Sequence, residues 1–295
     1  MNVNEQKKQI KQLSIVLPAK NEETGLGRIL PLVREQFPDA EIIVVNDCST
    51  DSTPKICESY NVTLINHPYS MGNGAAIKTG ARYATGDTLI FMDADGQHDP
   101  VDIPKLLSKL AEGYDMVVGA RHNRSQATMG RSFANSIYNR LASWMVNHGI
   151  DDLTSGFRIV NAKKFKEFLY LLPNGFSYPT TITISFFRAG YPVAYVPIHA
   201  GAREGKSHIN PFRDGFRFLL IIFKVGTLYS PLKLFVPVSL AFFTTGLLYY
   251  LYTYITQERF TNMSALLFTT SILVFLIGLV SEQITSLLYS HRDDT

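Results

Sequence analysis

Two long uncharged runs near the end of the chain constrain its fold more than any other feature of the sequence. They cover residues 234–255 and 260–281, and each is long enough to cross a hydrocarbon core that requires about 20 residues. Only four charged residues lie between 225 and 290, although the 295-residue chain contains 28 Lys and Arg and 25 Asp and Glu. The sequence therefore predicts a polar domain joined to a membrane-embedded tail. A buried hairpin in a water-soluble protein is the alternative.

The charges around this tail predict its orientation. A short polar loop, 256–259, joins the two runs, so they form a hairpin that returns the chain to its starting side. Basic residues flank the outer ends of the hairpin at Lys224, Lys233 and Arg292, whereas the loop offers only Arg259. The positive-inside rule then places both termini in the cytoplasm. We therefore predict a multi-pass protein of the inner (cytoplasmic) membrane.

The beginning of the chain carries no apolar segment of the kind that a secretory signal needs. Residues 1–12 are polar and contain lysine, so the domain before the hairpin is expected to stay in the cytosol. Its two cysteines, Cys48 and Cys57, are too few for a disulfide scaffold or a four-cysteine zinc site. The net charge of +3 is too small for a protein that grips nucleic acid.

Composition divides the chain into four predicted parts. These are a polar extension at 1–12, a cytosolic α/β domain at 13–210, an amphipathic interfacial helix at 211–230, and a transmembrane hairpin at 231–290 with spans at about 234–255 and 261–281. The interfacial helix is predicted because arginines and a lysine share a short stretch with bulky apolar residues. A plain linker helix packed on the domain is the alternative.

Alternating apolar and helical segments predict the fold of the α/β domain. Apolar runs typical of buried strands occur at 13–18, 41–45, 61–65 and 88–92, and a fifth begins at 116. Helical stretches fill the gaps at about 22–37, 51–60, 73–84 and 102–112. This pattern predicts a Rossmann-like, mostly parallel sheet flanked by helices. Ligands bind such sheets at the carboxyl ends of the strands, where the polar residues here are Asn21, Glu22, Asp47, Asp93 and Asp95.

The segment Asp93-Ala-Asp-Gly-Gln97 follows the fourth apolar run directly. Two carboxylates and an amide oxygen on a tight turn are hard ligands, which suit Mg²⁺ or Mn²⁺ better than zinc. Magnesium commonly completes its coordination with substrate phosphates and water. The pattern favours a metal site at Asp93, Asp95 and Gln97 over a solvated acidic turn.

Two further segments lie near this edge. Ser49, Thr50 or Asp51 suits the cap of the next helix, which would leave Asp47 free to accept hydrogen bonds from a nucleoside. A glycine-led helix start before Lys78 favours anions. It is no Walker A motif, however, because Ile77 precedes that lysine, and this excludes an ATPase of that type.

A basic stretch separates the α/β domain from the hairpin. It contains Arg203, Lys206 and Ser207, and Arg213 and Arg217 follow. Attraction to anionic lipid is one explanation, and a clamp on a lipid-borne phosphate is the other. The sequence leaves both open.

Taken together and in order, these segments resemble the family 2 glycosyltransferases of GT-A fold. More narrowly they resemble the polyprenyl-phosphate glycosyltransferases, which include the dolichol-phosphate mannose synthase group and its bacterial undecaprenyl-phosphate relatives. The resemblance covers about residues 13 to 210 and rests on seven segments: 17–22, 46–51, 72–78, 93–98, 118–121, 152–158 and 203–207. Two departures are Thr181, where some relatives carry a carboxylate, and His208, where lysine is frequent.

The resemblance implies a role for each matching residue. Nucleotide-binding residues would be Pro18, Ala19, Asn21, Glu22, Asp47, Lys78, Asp93, Ala94 and Arg121. Metal ligands would be Asp93, Asp95 and Gln97. Catalytic residues would be Asp95, Asp152 and Arg203. The acceptor phosphate would contact Arg121, Ser155, Arg203, Lys206 and Ser207. Arg158 belongs to the same stretch as Ser155, on the side of the sugar and acceptor.

The reaction implied by the resemblance is the inverting transfer of a sugar from a nucleotide to a polyprenyl phosphate, with Mg²⁺ or Mn²⁺ as cofactor. The acceptor phosphate has a second pKa of about 6 and is already ionised near neutral pH, so no strong general base is needed. The implied partners are a nucleotide-sugar, UDP-linked in preference to GDP-linked, a polyprenyl lipid and the membrane. Self-association is a further expectation, because Gly246, Gly278 and Glu282 could support helix packing.

Three alternatives remain. A processive polysaccharide synthase would need more membrane spans and a QxxRW-like signature, which the surroundings of Trp144 do not match. A glycosyltransferase acting on a lipid hydroxyl, such as diacylglycerol, would need a base to activate that hydroxyl. A catalytically silent nucleotide-sugar-binding membrane protein is the third.

Overall fold

The computed structural model describes residues 12–121, 129–175, 178–198, 223 and 226–290. The chain divides into two compact units, Met1–His208 and Ile209–Thr295. The predicted polar extension and most of the predicted interfacial helix lie outside the described residues.

The first unit contains a seven-stranded sheet whose strands are separated mainly by helices. Its strands are β1 Leu13–Ala19, β2 Glu41–Asn46, β3 Thr63–Asn66, β4 Thr88–Phe91, β5 Met116–Arg121, β6 Arg158–Asn161 and β7 Val193–Ile198. Its helices are α1 Glu23–Gln36, α2 Thr53–Glu58, α3 Asn73–Tyr83, α4 Ile103–Ala111, α5 Met129–Val146, α6 Ala162–Lys166 and α7 Tyr178–Arg188. The four predicted helices are confirmed to within two residues at each end.

The strand order is β3-β2-β1-β4-β6-β5-β7, and the sheet is mostly parallel, as predicted. The exception is β6, which runs antiparallel to both of its neighbours. Phe91, the last residue of β4, pairs with Arg158, the first residue of β6. The residues before β6 therefore lie at the same edge of the sheet as the residues after β4.

Apolar periodicity explains how the helices cover this sheet. The residues that α1 buries include Leu26, Ile29, Leu30 and Val33, which share one face because an α-helix repeats every 3.6 residues. The central strands are buried along nearly their whole length, as strands covered on both faces must be. This packing holds the strand ends in place around the candidate site.

The second unit contains the predicted hairpin, formed by α8 Pro231–Gln257 and α9 Asn262–Ser290. Both helices are long and apolar enough to cross a membrane, although this criterion rests on length and composition alone. Only 11% and 17% of their most apolar windows are buried within the chain, which disfavours the alternative of a core hairpin.

Polar and small residues join the two helices of the hairpin. The Ser239 and Ser271 hydroxyls each donate to the other residue's carbonyl oxygen, at 3.0 and 2.9 Å. A Cβ atom at Gly246 would lie 3.0 Å from the Leu267 Cβ, and one at Gly278 would overlap Phe235 of α8. These glycines therefore serve the contact between the two helices of one chain, and self-association stays a prediction.

Candidate active site

The predicted metal-binding turn directly follows β4. The Asp95 carboxylate accepts a hydrogen bond from the Gln97 backbone N–H at 3.1 Å, which holds the turn closed. The Asp93 side chain keeps 35% of its surface exposed. Among the described residues, no hydrogen bond to the Asp93 carboxylate is found, and His98 Nδ1 lies 4.0 Å from Asp93 Oδ2.

Two glycines from other elements pack against this turn. Gly25 in α1 lies so close that a Cβ there would overlap the Ala94 carbonyl oxygen. A Cβ at Gly156 would lie 2.7 and 2.9 Å from the two oxygens of Asp93. Both positions therefore need glycine because the acidic turn occupies the space of a side chain. Sequence reasoning missed both residues, since nothing local marks a close approach from a distant element.

An arginine and an aspartate form an ion pair at the same edge of the sheet. Arg121, at the end of β5, donates from Nε to Asp152 Oδ2 at 2.8 Å and from a terminal nitrogen to Asp152 Oδ1 at 3.0 Å. The same terminal nitrogen also donates to the Thr154 hydroxyl at 2.6 Å. Asp152 is 4% exposed. The other terminal nitrogen of Arg121 has no partner within the described part of the chain, so it can bind an anion.

The surroundings of Asp152 make it a weak base. Burial alone would raise the pKa of its carboxyl group, but the hydrogen bonds and positive charge of Arg121 outweigh burial and hold the pKa below its usual value. Its oxygens also accept from the backbone N–H groups of Arg121 and Thr154, at 3.3 and 3.1 Å. We therefore interpret Asp152 as the residue that positions Arg121.

The loop after β1 is joined to the loop after β2. Asn21, which has a φ of 56°, accepts from the Thr50 N–H at 2.8 Å and donates its own N–H to the Ser49 hydroxyl at 2.9 Å. The Glu22 N–H donates to the Thr53 hydroxyl at 3.0 Å. These hydrogen bonds join the two predicted nucleotide-binding loops into one surface.

Three of the predicted nucleotide-binding residues are buried. Pro18 and Ala19 end β1, and Ala94 is 2% exposed within the acidic turn. The Ala19 carbonyl accepts from the Asp47 N–H at 2.8 Å. Ala19 and Ala94 belong to the hydrophobic core, and Pro18 is buried next to Ala19, so a nucleotide would contact these residues mainly through their backbone atoms.

The expectation that Asp47 is free to bind a nucleoside is wrong. Its carboxylate accepts from the Met71 and Gly72 N–H groups at 2.7 and 2.9 Å, and from the Ser70 hydroxyl at 2.8 Å. It also contacts His67 Nδ1 at 2.8 Å. These four partners fill the usual acceptor positions of a carboxylate. Asp47 therefore holds the segment 70–72 in place.

The anion site expected at the start of α3 already has internal partners. The Ala75 N–H donates to the Asn174 carbonyl oxygen at 2.8 Å. The Lys78 ammonium donates to the Leu172 carbonyl oxygen at 3.1 Å and to the Asn174 side chain. The donors expected to bind phosphate therefore join α3 to the segment 172–175, which corrects that expectation.

Ser155 and Arg158 are both fully buried. Arg158 donates to the Ser155 and Pro179 carbonyl oxygens and to the Thr183 hydroxyl, so it fastens the segment before β6 to α7. Ser155 has no exposed surface for a phosphate, contrary to the role that the resemblance implied. Thr181 is 4% exposed inside α7. Arg203, Lys206 and Ser207 lie outside the described residues.

The acidic turn has the donor chemistry that a divalent cation requires. Asp93, Asp95 and Gln97 supply hard oxygen atoms, and Asp93 is partly exposed and accepts no hydrogen bond from the described residues. The described residues contain no cluster of three or more His, Cys, Asp or Glu that could hold a metal ion by itself. A cation here would therefore take part of its coordination from substrate, as magnesium commonly does.

Comparison with protein families identifies the domain that carries this site. The family described as glycosyl transferase family 2 matches residues 14–169, more than half of the chain. The chain belongs to glycosyl transferase family 2. The predicted family and enzyme class are therefore confirmed. In this family 2 glycosyltransferase, residues 230–287 also match the family described as GtrB C-terminal hairpin.

Curated relatives also carry glycosyltransferase names, and solved structures show a similar fold. The chain is 26% identical to glycosyltransferase AglJ of Haloferax volcanii over 95% of its own length and 94% of that protein. It is 28% identical to a dolichyl-phosphate hexose transferase of the same organism, covering 69% and 89% of the two chains. Its fold resembles glucosyl-3-phosphoglycerate synthase from Mycobacterium tuberculosis, solved with Mn²⁺, UDP-glucose and phosphoglyceric acid. The TM-score between the two folds is 0.60, with 20% sequence identity over 77% of this chain and 83% of the synthase.

Proposed function

We propose that this enzyme transfers a sugar from a nucleotide-sugar to a polyprenyl phosphate at the cytoplasmic face of a membrane. One observation carries the proposal. A family 2 domain with an acidic turn and an oriented arginine at one sheet edge is joined in the same chain to an apolar GtrB-type hairpin. Such a hairpin suits an enzyme whose acceptor is a lipid.

The choice of acceptor rests on the relatives and on charge. One relative is named for hexose transfer to dolichyl phosphate, and the terminal nitrogen of Arg121 that has no partner among the described residues suits an anionic oxygen. Undecaprenyl phosphate is our first candidate, and the product would feed a cell-envelope glycan or a lipid modification. We place Arg203, Lys206 and Ser207 at the acceptor phosphate together with Arg121.

The choice of donor and metal rests on the structural neighbours. A neighbouring synthase was solved with Mn²⁺ and UDP, and the acidic turn of this chain offers hard oxygen ligands. We therefore propose a UDP-sugar in preference to a GDP-sugar, and Mg²⁺ or Mn²⁺ held by Asp93, Asp95 and Gln97. The metal would supply positive charge against the departing diphosphate.

The chain's own residues would orient the two reactants. Arg121, fixed by Asp152, would bind a phosphate oxygen through its remaining terminal nitrogen. In the reaction, an acceptor phosphate oxygen forms a bond to the anomeric carbon while the bond from that carbon to the diphosphate oxygen breaks, which inverts the configuration. The electron pair leaves with the nucleoside diphosphate. The acceptor is already ionised near pH 7, so the low basicity of Asp152 is no obstacle.

The test is transfer of labelled sugar into organic-extractable lipid. Membranes containing the protein would receive undecaprenyl phosphate and each of a panel of UDP- and GDP-sugars, with EDTA and the Asp95→Asn variant as controls. We expect label in lipid with one donor, lost in both controls, because the cation and its carboxylate ligand would both be needed. Label that mild alkali releases from the lipid phase, as it does from the acyl esters of diacylglycerol, would instead support a hydroxyl acceptor. Metal-dependent nucleotide binding without any label would refute the proposal.

A further inference from the structure

A buried histidine lies next to the acidic turn. His98 is 4% exposed, and its ring stacks on Phe157 with centroids 5.1 Å apart and an interplanar angle of 21°. Its Nδ1 atom is buried and has no hydrogen-bond partner among the residues that the structure describes. The same atom lies 4.0 Å from Asp93 Oδ2. A buried polar nitrogen that faces a carboxylate without bonding to it needs an explanation.

The ring has little freedom to find another partner. Phe157 holds one face of the imidazole, and Gly156, the preceding residue, lies against the Asp93 carboxylate. The Asp93 carboxylate therefore has Gly156 packed against it and His98 Nδ1 4.0 Å from its Oδ2. A shift of the carboxylate toward the ring by about 1 Å would bring the two atoms to the usual N–H···O distance of about 2.9 Å.

We propose that His98 is a positioning residue for Asp93, donating from Nδ1–H to Asp93 Oδ2 when the other carboxylate oxygen binds a divalent cation. The inference rests on the proposed function, because it assumes that the acidic turn binds metal. Carboxylates that bind metal are usually held by such outer hydrogen bonds, which orient them and raise the affinity of the site. A neutral imidazole has two tautomers, and in one of them Nδ1 carries the N–H and can donate to Asp93.

Three substitutions separate the hydrogen bond from the packing of the ring. His98→Phe keeps an aromatic ring against Phe157 and removes the donor. His98→Asn loses the ring but places an amide N–H near the position of Nδ1. His98→Gln has the same amide one bond further out. His148 provides a matched control, because it is exposed and stacks on Phe187 with centroids 5.2 Å apart, so His148→Phe changes a similar pair outside the site.

The measurement is Mn²⁺ affinity of the full chain in lipid nanodiscs, by electron paramagnetic resonance with UDP and, separately, with GDP. We expect His98→Phe to weaken Mn²⁺ binding about 10- to 100-fold, the usual effect of losing an outer-shell partner. His98→Asn should recover most of that loss, and His148→Phe should bind as the unmodified protein does. If His98→Phe fails to fold, His98→Asn should still bind Mn²⁺ more tightly than His98→Gln.

Several outcomes would overturn this role. Unchanged Mn²⁺ affinity in His98→Phe, or equal losses in the Asn and Gln variants, would show that Nδ1 does not position Asp93. A directly bound imidazole nitrogen in the electron spin-echo spectrum of the Mn²⁺ complex would make His98 a metal ligand instead. In these cases the unmodified protein still binds metal and transfers sugar. Absence of Mn²⁺ binding by the unmodified protein would refute the metal part of the proposed function itself.

Discussion

Replacing Asp152 with Asn tests the ion pair on which the proposed site depends. The substitution keeps the shape of the side chain, but it removes the negative charge and faces an amide toward the Arg121 donors. Breaking a buried ion pair costs about 3–5 kcal/mol, and a hydrogen bond to a charged group contributes about 1.5–3 kcal/mol. Arg121 keeps 26% of its side-chain surface exposed, so water solvates part of the guanidinium left behind. We therefore expect a loss of about 1.5–3 kcal/mol in the free energy of unfolding.

The assay compares Asp152→Asn with Asp151→Asn, the exposed neighbour. The expected loss lowers the melting temperature of a domain of this size by about 3–12 °C. Misorientation of Arg121 should also lower turnover about 100-fold, because catalysis is sensitive to displacements of about 1 Å. Equal melting temperatures and equal turnover in the two variants would refute the role of Asp152. A loss of stability with full turnover would make the pair structural only.

The same pair predicts an acid limit for the folded domain. The pKa of Asp152 is lower in the folded chain than its ordinary value of 3.8, so the unfolded chain binds the proton more readily. Its contribution to stability is therefore complete above about pH 4 and is lost as the pH falls through the lower folded pKa. The free energy of unfolding should therefore differ between the unmodified protein and Asp152→Asn above about pH 4 and become equal below the folded pKa of Asp152. Acid unfolding curves of the two proteins measure this.

The remaining predictions concern packing and metal removal. Gly25→Ala should abolish metal-dependent transfer, because its Cβ displaces the Ala94 carbonyl. Gly27→Ala in the same helix meets no atom within 4 Å and should stabilise the domain by about 0.5–1 kcal/mol. Thermal unfolding and transfer assays check both variants. Ser239→Ala with Ser271→Ala should weaken the hairpin by about 0.6 kcal/mol per lost bond without changing turnover, measured by unfolding in bilayers. EDTA should stop transfer, and added Mn²⁺ should restore it; transfer that persists in EDTA would contradict the proposed metal.

Much of the architecture could be predicted because its signals are local. Apolar runs of strand length, helical periodicity in segments such as α1, and two uncharged membrane-length runs each lie within about 30 consecutive residues. The acidic turn could be found for the same reason, since Asp93 and Asp95 follow a buried strand directly. No packing information was needed for these predictions.

Individual side chains were harder to assign, because a polar residue at a strand end has several candidate partners. Asp47 looked free in the sequence, yet the segment 70–72 folds back and fills its acceptor positions. Lys78 looked available for phosphate, yet its ammonium bonds to the segment 172–175. In both cases the competing partner lies more than 20 residues away along the chain.

The sequence by itself therefore determined the family, the alternation of strands and helices, the acidic turn and the apolar hairpin, because each depends on residues that are neighbours along the chain. Only the tertiary structure decided which distant groups surround that turn. The antiparallel direction of β6 brings Asp152, Gly156 and Phe157 to the edge where β4 ends, and this places Asp152 on Arg121, Gly156 against Asp93 and Phe157 on His98. The physical reason is that strand direction and close packing depend on the whole sheet, so a pattern of neighbouring residues cannot predict them.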